Sequence, residues 1–95
     1  MAQVSPEVRQ TIDEWLEYLT DAWRQLPKAA REIDQWDFLQ QIDYIEEWAP
    51  KEELAIRLRH WITLPEATEP QRARYRELEQ LVRDNRPILD RMRTG

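Results

Sequence analysis

The only glycine in this 95-residue chain is its last residue, Gly95. Without internal glycine the backbone has no cheap access to positive φ. Primed hairpin turns, phosphate-cradling loops and nucleophile elbows are therefore excluded together. The chain must turn on proline and polar caps instead. Prolines at 6, 27, 50, 65, 70 and 87 divide stretches rich in strong helix formers, and each stretch has an apolar period nearer 3.6 than 2. The expectation is an all-α fold in one domain, 1–95, a compact bundle of about four helices.

The expected helices are 6–26, 28–49, 50–64 and 70–93, with a kink or break near Pro87. Ser5 and Pro6 start the first as N-cap and N1. Val8, Ile12, Trp15, Leu16, Leu19, Trp23 and Leu26 form its buried stripe, and Pro27 ends it. In 28–49 the apolar residues divide between two faces. Phe38, Leu39, Ile42, Ile45 and Ala49 share one, and Ile33, Trp36, Tyr44 and Trp48 the other. Such a helix is either central in a bundle or displays one face to a partner. The alternative is a break near Asp34–Asp37, with an Asp capping a new helix. Leu54, Leu58, Trp61 and Ile62 carry the third stripe. Tyr75, Leu78, Leu81 and Val82 carry the fourth, and the same period reaches Ile88, Leu89 and Met92 beyond Pro87. Trp-x-x-Leu-Pro occurs at 23–27 and again at 61–65, which reads as two helices ended alike.

The residue inventory removes much chemistry. There is no cysteine and one histidine, which excludes disulfides and the usual zinc ligand sets. His60 has neither a nucleophile nor an orienting carboxylate beside it in sequence, and no Glu precedes a His by three, as carboxylate di-metal bundles require. The acidic group Asp34, Asp37, Asp43, Glu46 and Glu47 reads as a solvated face. Apolar runs are too short for a membrane span or a signal sequence. No enzyme activity, cofactor, metal or membrane association is expected, and the default location is the cytoplasm.

The net charge of −5 conceals an asymmetry. Residues 1–56 carry 5 basic and 13 acidic side chains, whereas residues 57–95 carry 9 basic and 6 acidic. Arg72, Arg76, Arg83 and Arg86 project within about 80° of one another on the fourth helix, a basic stripe. The expected function is a small soluble interaction or regulatory module of adaptor or inhibitor type. It would bind a protein partner, or itself, through Trp36, Tyr44, Trp48, Arg72, Arg76 and Arg83. Tryptophan and arginine are the residues that anchor interfaces. The alternative is a nucleic-acid-binding regulator that lays the Arg stripe along phosphates.

Overall fold

The computed structural model describes residues 6–94 and is all helical across them: α1 (Pro6–Glu32), a 3₁₀ turn (Ile33–Gln35), α2 (Phe38–Glu46), α3 (Trp48–Trp61) and α4 (Glu69–Thr94). The Ser5 cap lies outside the described residues. The stripe on α1 is as the periodicity indicates: Ile12, Leu16, Leu19, Trp23 and Leu26 are buried, with Val8 and Trp15 packed against them. Pro27, however, does not end α1. It deprives the Trp23 carbonyl of its helical donor, a cost of about 3 kcal/mol in an exposed helix. Leu26 and Ala29 are buried on either side of it and hold the helix in register across the gap. Packing outweighs propensity at this proline.

The break expected at Pro27 lies ten residues later. After the 3₁₀ turn, Trp36 is extended, and Asp37 opens α2 with a capping box: Asp37 Oδ1 accepts from Gln40 N–H, and Gln40 Oε1 accepts from Asp37 N–H. Gln41 Nε2 donates to the carbonyls of Ile33 and Trp36 and closes the turn from inside. Residues 28–49 are therefore not one helix. Only Glu47 separates α2 from α3, so α3 begins at Trp48 and places Pro50 in its first turn, where a missing N–H removes no helical bond. The third helix also ends earlier than expected, at Trp61 rather than 64, in a run of short turns through Ala67. Thr68 and Gln71 then form a second reciprocal cap at the start of α4. Of the kink or break expected near Pro87, the break is absent, because α4 continues through it with Leu78 and Leu89 buried on both sides.

Contacts along the helices set the topology. Gln71 and Arg74 of α4 meet Arg9 and Asp13 of α1, and Arg86 lies over Trp23, so α1 and α4 run parallel. Trp48 meets Trp23 and Trp61 meets Trp15, so α3 runs antiparallel to α1. The bundle is up, down, up, with a second leg split into α2 and α3. Both α3 and α4 pack mainly on α1 rather than on each other. Its extents of 55 × 23 × 17 Å make it elongated, and its radius of gyration of 15.5 Å exceeds the roughly 12 Å of a round domain this size. No helix of the described residues is long and apolar enough to cross a membrane.

Candidate partner-binding clefts

Because α3 and α4 each lean on α1, a groove opens between the second leg and α4. Its floor in the middle of the molecule is Trp23, Leu58 and Leu78, and Ala55 and Val82 lie on its facing walls. This cleft measures about 470 Å³. Ile56, 59% exposed, stands on its α3 rim with Arg59, and Glu79 and Arg83 stand on the α4 rim. Among the described residues Arg83 donates only to Gln80 Oε1, a neighbour on its own helix. Burial raises the Tyr75 hydroxyl above its ordinary pKa; Glu79 adds to the rise and Arg59 opposes it.

An ion-pair clasp interrupts the groove. Glu52 of α3 accepts from Arg86 at 2.7 Å through Oε1 and from Arg93 at 2.8 Å through Oε2. Burial alone would push the Glu52 carboxyl up; the hydrogen bonds from Arg93 and Arg86, with their charges, more than offset it and hold the pKa below its ordinary 4.5. Arg86 also lies 5.3 Å from the centroid of the Trp23 ring, so one guanidinium joins α1, α3 and α4.

Beyond the clasp a second cleft of about 530 Å³ separates α2 from the last turns of α4. Ile33, Phe38, Ile42 and Ile45 line one wall, and Ile88 and Met92 the other. Phe38 and Leu39 are the most exposed large apolar residues described, at 72% and 71%.

The six residues singled out in the sequence are distributed unevenly over these surfaces. Trp36, Tyr44 and Trp48 are brought together, as a shared face requires, and the face runs from a surface cleft at Trp36 and Tyr44 into the core at Trp48. Their rings form an edge-on series, Trp36 to Tyr44 at 5.4 Å, Tyr44 to Trp48 at 6.4 Å and Trp48 to Trp23 at 4.8 Å. Trp48 is 1% exposed and belongs to the core, which removes it as a binding anchor. Its indole N–H leans toward the Tyr44 hydroxyl without closing a hydrogen bond, leaving Nε1 the one buried side-chain polar atom without a partner among the described residues. Burial raises the Tyr44 pKa, the indole opposes the rise and Glu47 adds to it. Trp36 and Tyr44 are half-buried.

Arg72 serves the fold: Nε donates to the Ile62 carbonyl and Nη2 to that of Leu64, while Nη1 pairs with Glu69 at 3.1 Å. It fastens the turn that α3 and α4 share. Arg76 and Arg83 are exposed on α4. Sequence reasoning missed the exposure of Ile56 and the clasp, and of its three aromatic residues one, Trp48, lies in the core. Each half of the clasp lies on an element whose sequence shows nothing of the other, since Glu52 and Arg86 are 34 residues apart.

Among the described residues no group of His, Cys, Asp and Glu is placed to hold a metal ion. His60 is exposed near the end of α3, where its carbonyl accepts from Thr63. Comparison with known protein families, curated proteins and solved structures finds no match to this chain.

Proposed function

We propose that this chain is a small non-enzymatic interaction or regulatory module, and that the cleft between α3 and α4 receives its protein partner. The supporting observation is an apolar surface of Ala55, Ile56 and Val82 above the buried Trp23, Leu58 and Leu78, with Arg59 and Arg83 on opposite rims and neither in an ion pair among the described residues. An amphipathic helix presents the complementary surface, with an apolar stripe for the floor and acidic flanks for the two arginines. Filling the cleft adds a fourth leg beside α3 and α4, which a bundle with one open groove accommodates without rearrangement. Of the residues expected from sequence, Arg83 carries this reading and Arg76 lies one turn before the rim.

The nucleic-acid alternative loses support at the same place. Arg72 and Arg86 are engaged with backbone carbonyls, Glu69 and Glu52, so half of the four-arginine stripe is committed within the fold.

The test is partner capture by wild type and by the double variant Ile56→Asp/Arg83→Glu, both positions being exposed. Removing one apolar anchor and reversing one rim charge is expected to weaken binding by at least about 30-fold, roughly 2 kcal/mol. Equal recovery by a double variant with unchanged helical circular dichroism would show that the partner binds elsewhere.

A further inference from the structure

The cleft between α2 and the end of α4 differs from the central one in the signs of its walls. The wall made by the 3₁₀ turn and α2 contains Asp34, and the segment from Glu32 to Glu47 holds six acidic residues and no basic one. The opposite wall, on α4, contains Arg91 and Arg93. Arg93 is tied to Glu52, while Asp34 and Arg91 are exposed and in no ion pair among the described residues. Each wall is apolar at its centre, Phe38 and Ile42 on one side and Ile88 and Met92 on the other.

A foreign partner would need its own arrangement of opposite charges to match this patch. A second copy already has it. Rotation by 180° about an axis through the cleft lays the acidic wall of one molecule on the basic wall of the other, twice, and brings the apolar centres together. A two-fold interface requires a patch that is its own complement, and Asp34 and Arg91 on opposite walls meet that requirement in charge. Phe38 and Leu39 then enter an apolar interface instead of water. Phe38 on the cleft wall and Leu39 beside it present on the order of 250 Å² of apolar surface per copy, which the interface would bury along with Ile42, Ile88 and Met92.

We propose that two copies of this chain associate through the α2–α4 cleft as a two-fold dimer. Phe38 and Leu39 are its apolar anchors, and Asp34 and Arg91 face one another across the axis. The site is separate from the α3–α4 cleft, so a dimer leaves that cleft free for a different partner.

Sedimentation velocity and light scattering over a concentration series test the proposal on the whole chain. The expected mass is twice the 11.6 kDa of one chain. Phe38→Glu and Leu39→Glu, each at an exposed position, should raise the dissociation constant at least about 100-fold, with helical circular dichroism unchanged. Arg91→Glu should weaken the dimer, and Asp34→Arg added to it should restore it, because the swapped pair keeps its attraction. Ile56→Asp/Arg83→Glu should leave the dimer intact. A wild-type mass of one chain at every concentration overturns the proposal. So does a dimer that survives both Phe38→Glu and Leu39→Glu, or one lost in Ile56→Asp/Arg83→Glu instead, and neither result bears on whether a foreign helix fills the central cleft.

Discussion

The two ends of this bundle share α1 and α4, take their second leg from α3 at one end and α2 at the other, and differ in how far they are closed. At the end where α1 and α4 begin, Gln71 is buried and fully engaged: its amide donates to the Arg9 carbonyl and Asp13 Oδ1, and its oxygen accepts from Thr68 N–H. Arg9 reaches the Glu66 carbonyl, Arg72 holds the turn from α3, and Trp15 packs on Trp61. At the other end α2 stands off α4, and Phe38 and Leu39 face solvent. The contrast shows what closes a small glycine-free bundle. Where polar side chains reach unpaired backbone groups, the helices are tied. At the open end the apolar residues of α2 face Ile88 and Met92 with no ion pair between Asp34 and Arg91 to draw the walls together, and no described residue covers the gap.

Three substitutions probe this contrast. Trp48→Ala removes a core ring that packs on Trp23, and should cost about 3 to 5 kcal/mol in urea denaturation, whereas Trp36→Ala at the outer end of the same series should cost about 1 kcal/mol or less. Equal effects would mean that the open end is as tightly packed as the middle. Next in size is Gln71→Ala, which leaves the Thr68 N–H without its partner, removes the bonds from α4 to the Arg9 carbonyl and Asp13 of α1, and should cost about 1 to 3 kcal/mol. Amide exchange should quicken around Thr68 in that variant and stay unchanged in α2.

Glu52→Gln tests the clasp between the two ends and should also have a small effect, about 1 kcal/mol at neutral pH, because the clasp is partly exposed and screened. Its pH dependence separates it from the others. The folded carboxyl titrates below 4.5, so it contributes stability above that value and loses it as the pH falls through the folded pKa. Wild type should therefore approach the stability of the variant on acidification, and a gap that persists in acid would assign the effect to packing.

Much of the fold is legible in the residues, since helix stripes depend on local period alone. Ile12 to Leu26 fall where the 3.6 period puts them, and the α4 pattern continues past Pro87 as the helix does. The errors come from reading proline as punctuation. Pro27 and Pro87 are carried inside helices by buried neighbours, a tertiary effect with no local signature, while Asp37, whose side chain caps a helix, marks the true break. The site is less legible for a related reason. Two apolar faces on residues 33–49 can be counted from sequence, but which one turns inward depends on Trp23 of α1, which meets Trp48 from 25 residues away. The basic stripe likewise counts as four arginines until the carbonyls of Ile62 and Leu64 and the carboxylate of Glu52 take two of them.

The odd number of legs has a mechanical consequence. With α1 and α4 parallel, Pro6 and Thr94 sit at opposite ends, separated by roughly the 40 Å length of a 27-residue helix. A tension applied between them drives α1 and α4 past one another along their shared length. The contacts from Gln71 to Arg86 are then loaded in shear and give way together, whereas a hairpin pulled from two adjacent ends would open one contact at a time.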